Sequence, residues 1–316
     1  MNGCGISRRT FIRRTAAGGG MLALGWPARL SWATEPAPET ASLKLVYYTD
    51  IHARTEWETP EAMLLAAAAM NAHKPDLILC GGDMITDGYS SSAAMVAPRW
   101  ETVAAMHDAL RPAPEVILGN HDLVGVEPGD GSPPEADFRG NAREKLGLSR
   151  TYRSFDRAGY HFILLDSVEV TADPLKYRGY IDAEQLAWLR DDLAAMDPDM
   201  PIILMTHMPL ASSFFQLTGG IEAPIPANRG VVNNLEVLAA FEGRRLLAVL
   251  QGHLHVNEMI RWRNTTFITG GAVCGKWWRG NWHGTSEGYG VLHLHPDRVD
   301  WEYHTYGWVA RRPPGA

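Results

Sequence analysis

Five short motifs rich in aspartate, asparagine and histidine are spread over the middle of this 316-residue sequence. In chain order they are Asp50-Ile51-His52, Gly82-Asp83, Gly119-Asn120-His121-Asp122, Thr206-His207 and Gly252-His253-Leu254-His255. Carboxylate and amide oxygens and imidazole nitrogens are the ligands that hold borderline divalent metals. A single Asp-x-His or His-x-His pair is usually structural, but five such motifs in one chain indicate a metal site.

Each motif stands at the end of a short apolar run that is typical of a buried strand. Strands are predicted at 44–48, 77–80, 115–118, 202–205 and 246–250, and helices at 61–73, 94–110, 182–196 and 233–242. Asp182 is the expected N-cap of the third helix, and Arg99 and His107 on the second are expected to face solvent. In open α/β sheets, sites gather at the carboxyl ends of strands, so this order of elements would bring the motifs together.

The rest of the chain reads as loops and further strands. A long loop rich in Gly, Pro and Asp is expected at 127–140, and a hairpin joins 152–155 to 160–166. After the last motif the pattern is largely strands and turns, and it holds six of the eleven tryptophans. We therefore expect one α/β domain over residues 43–316, with a β-rich, Trp-rich C-terminal part.

In this order the motifs resemble those of the calcineurin-like metallophosphoesterase superfamily, from Asp50 to His255. The resemblance implies a four-layer αββα sandwich and a dinuclear metal centre. It assigns one metal to Asp50, His52, Asp83 and His255, and the other to Asp83, Asn120, His207 and His253, with Asp83 as the bridge. Two divalent ions are thus expected as cofactors, and Mn, Fe, Zn and Co all accept these ligands.

The resemblance also implies a mechanism of phosphate ester hydrolysis. Two neighbouring cations lower the pKa of a bridging water and clamp the phosphoryl oxygens, so that a metal-bridging hydroxide attacks phosphorus. His121 is the histidine left over after ligation. By family analogy it is placed to protonate the leaving alkoxide as a general acid, or to stabilise charge in the transition state. Asp87 is the first candidate for the acid that orients His121, and Asp122 is the second.

These features predict a hydrolase of phosphate mono- or diesters that acts on a small-molecule or lipid-linked substrate. Thr86 stands where purple acid phosphatases carry a tyrosine, and 84–88 does not match protein serine/threonine phosphatases. The alternative function is a class III-type cyclic-nucleotide phosphodiesterase, which uses the same motifs. A metal-dependent binding module without turnover is disfavoured, because the ligands and His121 are all present.

The N-terminus has the features of an export signal. Residues 7–12 (Ser-Arg-Arg-Thr-Phe-Ile) resemble the twin-arginine motif, an apolar but Gly-rich stretch follows at 16–30, and 31–33 suits cleavage. This stretch is too short and Gly-rich to span a bilayer comfortably, and residues 34–42 form a linker. We expect a protein exported folded by the twin-arginine translocase, periplasmic or secreted, with no stable membrane span. Export argues against an intracellular messenger as the substrate.

Charge and cysteine content limit the partners and the redox chemistry. Without residues 1–33 the chain has 24 basic and 36 acidic residues, a net charge of −12. Such a surface indicates no basic patch for nucleic acid. It would also repel a phosphate ester unless bound metal ions offset its negative charge. Export permits a disulfide between Cys80 and Cys274, but folding in a reducing cytoplasm favours buried free thiols.

Aromatic residues near the motifs are candidates for substrate binding. Trp277 and Trp278 follow a Gly-rich stretch that resembles a C-terminal segment of some bacterial members of the superfamily. Phe214 and Phe215 stand in the loop after His207. Because β-rich structures also use aromatic side chains for packing, each of these residues has a purely structural alternative.

Overall fold

The computed structural model describes residues 42–172 and 174–311, so the predicted signal peptide lies outside the described residues. The strands are β1 (Leu43–Tyr48), β2 (Leu77–Cys80), β3 (Glu115–Val116), β4 (Arg153–Arg157), β5 (Tyr160–Leu164), β6 (Val168–Val170), β7 (Tyr177–Gly179), β8 (Ile202–Met205), β9 (Leu246–Gln251), β10 (Glu258–Trp262), β11 (Thr265–Thr269), β12 (Gly288–Leu294) and β13 (Val299–Thr305). The helices are α1 (Thr59–Ala72), α2 (Ala93–Ala109), α3 (Gly140–Leu146), α4 (Ala183–Ala195), α5 (Phe214–Gly219) and α6 (Asn234–Ala239), and a 3₁₀ turn covers Asn120–Asp122.

Two mixed sheets form the centre of the fold. The first has the strand order β13-β12-β1-β2-β3, with β1, β2 and β3 parallel. The second has the order β10-β11-β9-β8-β5-β4, with β5, β8, β9 and β11 parallel and an antiparallel strand at each edge. The parallel strands of each sheet therefore end at one edge, which is where the motifs emerge.

The two-residue alternation of the strands sorts apolar side chains into separate layers. In β1, Leu45 and Tyr47 belong to the core between the two sheets, whereas Val46 and Tyr48 belong to the core shared with α1 and α2. In the second sheet, Ile203 also faces the inter-sheet core, and its neighbours in β8 pack in the core shared with α4 and α6. Three cores thus separate four layers, which confirms the predicted αββα sandwich.

The structure agrees with the main predicted elements and adds short ones. The hairpin β4–β5 and the Asp182 N-cap are present, with the Asp182 carboxylate accepting from the Gln185 backbone N–H at 2.8 Å. Four of the described elements were not predicted: helices α3 and α5, and strands β6 and β7, which form a hairpin. Each has seven or fewer residues, too few for a periodic apolar pattern to stand out from a loop.

Two side chains of α2 that were expected to face solvent are partly buried. His107 is half-buried, and its Nε2 lies 3.0 Å from the Tyr48 hydroxyl. Arg99 is also half-buried and donates to the carbonyl of Thr86. The spacing of apolar residues shows which side of a helix faces the core. It does not show that the end of β1, at Tyr48, and the loop at Thr86 cover these two polar side chains.

Cys80 and Cys274 are buried free thiols, as expected from the apolar run before Cys80. Burial raises the pKa of the Cys80 thiol to about 12, so it stays protonated. Within residues 42–172 and 174–311, no helix is both long and apolar enough to cross a membrane.

Candidate metal centre

The seven predicted metal ligands lie together where the carboxyl ends of the two sheets meet. Asp50 comes shortly after β1, Asp83 after β2, and His253 after β9 in the other sheet. The backbone N–H of His253 donates to Asp50 Oδ2 at 3.0 Å, and His207 Nδ1 donates to the Gly81 carbonyl at 2.8 Å. These hydrogen bonds connect the two sheets at the site itself.

The backbone turns sharply at most of these ligands. Five of the seven have a left-handed backbone conformation, with φ between 47° and 70°: Asp50, His52, Asp83, His253 and His255. Non-glycine residues adopt this conformation at a cost of about 1–3 kcal/mol each, and such strain clusters at functional sites. The surrounding fold therefore holds these side chains in place against a local conformational preference.

Glycines next to the ligands allow close approach of the backbone. A Cβ atom on Gly119 would lie 2.2 Å from Asp83 Oδ1, and one on Gly252 would lie 2.8 Å from Asp50 Oδ2. No side chain fits at these distances. The glycines of the motifs are therefore needed to leave room for the carboxylates.

One half of the site joins Asp50, His52, Asp83 and His255. His255 Nε2 lies 3.3 Å from Asp50 Oδ1 and 3.1 Å from His52 Nε2. His52 Nε2 lies 3.6 Å from Asp83 Oδ2. All four residues are at most 3% exposed. Two imidazole nitrogens and two carboxylate oxygens thus point at one small volume.

The other half joins Asp83, Asn120, His207 and His253. His207 Nε2 lies 3.2 Å from Asp83 Oδ2 and 3.2 Å from Asn120 Oδ1. Ligand atoms of Asp83, His207 and His253 lie within 4.8 Å of one another. The same Asp83 oxygen therefore faces both halves of the site.

Hydrogen bonds fix the orientation of two histidine rings in the second half. His207 donates from Nδ1 to the Gly81 carbonyl, so Nε2 is the ring nitrogen that faces Asp83. His253 donates from Nε2 to the Asn228 carbonyl at 2.9 Å, which leaves Nδ1 as its ligand atom. This outer hydrogen bond is the usual way in which proteins set the tautomer of a metal-binding histidine.

In the first half of the site, only the His255 ring has such an outer hydrogen bond among the described residues. His255 donates from Nδ1 to the Gly275 carbonyl at 2.6 Å, and the Cys274 sulfur lies 3.9 Å from the same nitrogen. Cys274 is therefore beside the outer nitrogen and away from the one that faces Asp50. The buried Nδ1 of His52 has no hydrogen-bond partner within the described part of the chain.

The charges of the site suit divalent cations. Burial alone would raise the pKa of Asp50, but His255 outweighs it and lowers that pKa to about 2. Burial would also lower the pKa of His207, but Asp83 raises it to about 9. Burial lowers the pKa of His253 to about 3. Two buried, ionised carboxylates face nitrogen and amide donors here, and bound cations would compensate this charge directly.

His121 lies at the edge of the ligand cluster. Its backbone N–H donates to Asp83 Oδ1 at 2.7 Å, and its ring packs edge-on against the His52 ring, with centroids 4.6 Å apart. The Asp87 backbone N–H donates to His121 Nδ1 at 3.1 Å, whereas the Asp87 carboxylate is 3.9 Å from that nitrogen. The hydrogen bond that orients the ring therefore comes from the main chain of Asp87.

Asp122 is directed away from His121. Its Oδ1 accepts from the backbone N–H groups of Met84 (2.8 Å) and Ile85 (3.2 Å), and its Oδ2 accepts from that of Gly119 (2.9 Å). Burial, and then the charge of Asp83, raise the pKa of Asp122 to about 7. The structure thus uses Asp122 to connect the loops after β2 and β3.

A cavity of about 190 Å³ opens onto the ligands. Its described lining includes the side chains of Phe214, Phe215, Trp277 and Trp282, here called the aromatic wall. Trp278 does not line the cavity; it is buried, and its indole N–H donates to the His52 carbonyl at 3.0 Å. Of the aromatic residues predicted to bind substrate, Trp277 and Phe214 lie at the cavity, and Trp278 lies in the core.

Two polar residues at the site were not predicted. Arg229 lines the cavity, and its Nη1 lies 3.2 Å from His253 Nε2. Tyr177 packs edge-on near His253, with ring centroids 6.5 Å apart. Both residues come from segments without a motif, so only the folded chain places them beside the ligands.

Comparison with known sequences identifies relatives of this arrangement. Residues 43–257 match the family model described as calcineurin-like phosphoesterase. A probable cyclic nucleotide phosphodiesterase of Rhodococcus erythropolis is 25% identical over 244 residues, which cover 73% of this chain and 70% of that protein. A 3′,5′-cyclic-nucleotide phosphodiesterase of Nostoc sp. is 24% identical over 250 residues, covering 75% and 80% of the two chains.

Solved structures share the fold at low sequence identity. A dimetal phosphatase from Danio rerio superposes with a TM-score of 0.57 at 14% identity, covering 84% of this chain and 96% of that one. Purple acid phosphatase PPD1 from yellow lupin superposes with a TM-score of 0.54 at 15% identity, covering 85% and 52%. At such identities the similarity establishes the fold.

Proposed function

The chain belongs to the calcineurin-like phosphoesterase family and hydrolyses phosphate esters, and from this premise we propose that it uses two divalent metal ions to hydrolyse phosphate mono- or diesters. The observation that carries the proposal is the position of Asp83. Its Oδ2 lies 3.6 Å from His52 Nε2 in one half of the site and 3.2 Å from His207 Nε2 in the other. A carboxylate between two groups of donors is suited to bridge two cations.

The residues that would hold the ions follow from the two halves of the site. One ion would be held by Asp50, His52, Asp83 and His255, and the other by Asp83, Asn120, His207 and His253. Two bound cations would supply an acidified water and a positive clamp for the phosphoryl oxygens. Mn, Fe, Zn and Co all suit these nitrogen and oxygen donors.

His121 supplies the proton-bearing group at the site. Because the Asp87 amide donates to Nδ1, the neutral His121 ring carries its proton on Nε2. From there the neutral ring can donate a hydrogen bond that stabilises charge on the leaving oxygen. Proton transfer as a general acid would start from the imidazolium form, in which Nδ1 is protonated as well and no longer accepts from the Asp87 amide. Arg229 adds a positive charge beside His253 and can bind a phosphoryl oxygen.

A cyclic-nucleotide phosphodiesterase is the second candidate function. It is favoured by the names of the bacterial relatives, four of which are described as cyclic nucleotide phosphodiesterases. The predicted export signal argues against it, because cyclic-nucleotide messengers are intracellular. A binding module without turnover is disfavoured by the intact ligands and His121.

The test is metal analysis of the purified mature protein together with a substrate screen. We expect two ions per chain and metal-dependent hydrolysis of p-nitrophenyl monoesters or diesters. Adenosine 3′,5′-cyclic phosphate in the same screen addresses the second candidate. A fully folded protein with at most one bound ion and undiminished activity would contradict the dinuclear mechanism.

A further inference from the structure

The aromatic wall suggests which phosphate esters the site accepts. Resting on the proposed phosphoesterase activity, we propose that the wall stacks a flat ring in the alcohol part of the substrate, so that esters of ring-bearing alcohols such as nucleosides are preferred. Trp277 is the central residue of this specificity site. Phe214, Phe215 and Trp282 complete it.

Trp277 is held in a fixed position beside the metal ligands. Its backbone φ is 46°, and that of Trp278 is 65°, a conformation that is strained for so bulky a residue. Trp278 is buried and donates to the His52 carbonyl, which anchors the turn. Trp277 is left 37% exposed, with its ring centroid 4.8 Å from that of His255. Strain of this kind persists where the surrounding structure enforces it, often at ligand sites.

The wall consists of two aromatic pairs, and the His283 ring contacts both, at centroid distances of 4.9 Å from Phe214 and 4.4 Å from Trp282. Trp282 lies 6.4 Å from Trp277 at an interplanar angle of 67°, and Phe214 lies 5.2 Å from Phe215 at 79°. Among the described residues that line this cavity, Leu254 is the one aliphatic side chain. Rings packed edge to face are rigid, and they offer flat faces that attract another ring more than a flexible acyl chain.

The size of the cavity also favours a compact group. Its volume of about 190 Å³ is below the range of about 300–1,000 Å³ that is usual for drug-sized ligands. It can take a phosphoryl group and part of one adjoining ring, but it does not enclose a long chain.

The arrangement around His52 gives the direction of the bound ester. The His121 and Trp277 rings both flank His52, at centroid distances of 4.6 and 5.9 Å. Arg229 lies elsewhere in the site, beside His253. A phosphoryl oxygen bound to Arg229 would leave the alcohol part near His52, so the proton donor and the wall would both meet the leaving alcohol.

Matched substrates separate the ring from the leaving group. Adenosine 5′-phosphate and ribose 5-phosphate both release a primary alkoxide and differ in the base. Adenosine 3′,5′-cyclic phosphate and ribose 3,5-cyclic phosphate form the corresponding diester pair. Because stacking of one base on an aromatic side chain changes binding by about 5- to 150-fold, we expect kcat/KM to favour the base-bearing ester by that factor.

The variant Trp277→Asn removes the ring and keeps a residue that tolerates positive φ. We expect it to abolish the preference for the base, chiefly through KM, with unchanged metal content. Trp282→Leu should also weaken the preference for the base-bearing ester. It serves as a second variant if Trp277→Asn does not fold. Trp262→Leu is the matched control, because Trp262 is 66% exposed on β10 and does not line the cavity.

The outcomes separate this inference from the proposed function. If the metal-loaded enzyme hydrolyses neither ester of either pair nor any p-nitrophenyl ester, the proposed function fails. If it hydrolyses both esters of a pair equally, or keeps its preference in Trp277→Asn and Trp282→Leu, the inference about the wall is wrong. A preference for long-chain glycerol phosphate esters that the Trp277 variant retains would overturn it in favour of a lipid substrate.

Discussion

In the proposed mechanism, Asp83 serves metal binding and His121 acts on the leaving group. Asp83 faces histidine nitrogens of both halves with one carboxylate oxygen, and its other oxygen accepts from the His121 backbone N–H at 2.7 Å. Nearby histidines outweigh burial and lower the pKa of Asp83 well below its usual value. The carboxylate is therefore ionised and faces both groups of donors, whereas the His121 ring lies at the edge of the cluster, with a ring nitrogen within 4.8 Å of ligand atoms of His52 and Asp83.

Asp83→Asn should reduce metal binding more than loss of a ligand from one half of the site. A neutral amide cannot screen the repulsion between two cations, so we expect fewer than two bound ions and activity lower by roughly 10²-fold or more, comparable with the loss of an essential catalytic group. The measurement is metal content by mass spectrometry beside steady-state kinetics, with His253→Ala as the single-half comparison. Two bound ions with full activity in Asp83→Asn would show that Asp83 is not the bridge.

His121→Ala should lower kcat by roughly 10²–10⁴-fold while metal content is unchanged. An alkyl ester leaves as a strongly basic alkoxide and needs a proton, whereas p-nitrophenolate is stable without one. The loss should therefore be much larger on alkyl esters than on p-nitrophenyl esters. Equal losses on both would assign His121 to positioning or charge stabilisation, and loss of metal would mean that it is a ligand.

Asp87→Asn is the control for how His121 is oriented. The Asp87 main chain holds the ring, and asparagine tolerates the φ of 51° at this position. We therefore expect this variant to keep most of the activity. A loss as large as that of His121→Ala would show that the carboxylate is required.

The strand ends and the turns that follow them are the elements that build the site. Each motif begins where a parallel strand stops, and glycine provides room for the carboxylate of a neighbouring motif. Helices α1, α2, α4 and α6 act on the site indirectly, by covering the outer faces of the two sheets, whereas α5 carries Phe214 and Phe215 of the aromatic wall. Small changes in the loops should therefore affect metal binding, whereas changes in the four covering helices should affect folding stability.

Gly119→Ala should disrupt the turn after β3. The added Cβ would lie 2.2 Å from Asp83 Oδ1 and 2.5 Å from the Asp83 backbone nitrogen. We expect lower metal content and a loss of about 1–3 kcal/mol of stability from overpacking, seen in thermal unfolding. Gly129→Ala is the comparison, since its nearest neighbour atom would be 3.7 Å away; a similar effect in both variants would contradict the steric explanation.

His107 should make the packing of α2 against β1 sensitive to acid. Burial lowers its pKa to about 4, whereas an unfolded chain protonates histidine near its usual pKa of about 6.5. Between these values the unfolded state binds more protons, so stability is full above about pH 6.5 and falls as the pH drops towards 4, by up to about 3 kcal/mol. Unfolding by denaturant at pH 7 and pH 4.5 should show a smaller difference for His107→Gln than for the wild type; an equal difference would contradict this role.

For the molecule as a whole, we propose that the chain folds and loads its metals before export by the twin-arginine translocase. The basis is the sequence of residues 7–12, and the assembly of the site from both sheets is consistent with folding first. Replacing Arg8 and Arg9 with lysine should leave a folded, active enzyme in the cytoplasm. Cell fractionation with activity assays measures this, and the double variant in the periplasmic fraction would refute the route.

The sequence by itself predicted the family, the layered fold and the residues that the structure brings together as candidate ligands. Residue type alone shows which side chains can bind a metal ion. Apolar runs of four to six residues, such as β2 and β9, indicate buried strands without any knowledge of their neighbours. The N-cap of α4 was predictable because a cap depends on neighbouring residues alone. These features are local, so they do not depend on how the sheets pack.

The tertiary structure alone decided which residues meet across the fold. It placed Arg229 and Tyr177 beside the ligands, and it turned Trp278 into the core while leaving Trp277 at the cavity. It also showed that a backbone N–H, that of Asp87, orients the His121 ring. A sequence pattern cannot show this, because every residue except proline has a backbone N–H. Contacts between residues far apart in the chain depend on sheet packing and loop paths, and no local pattern specifies these.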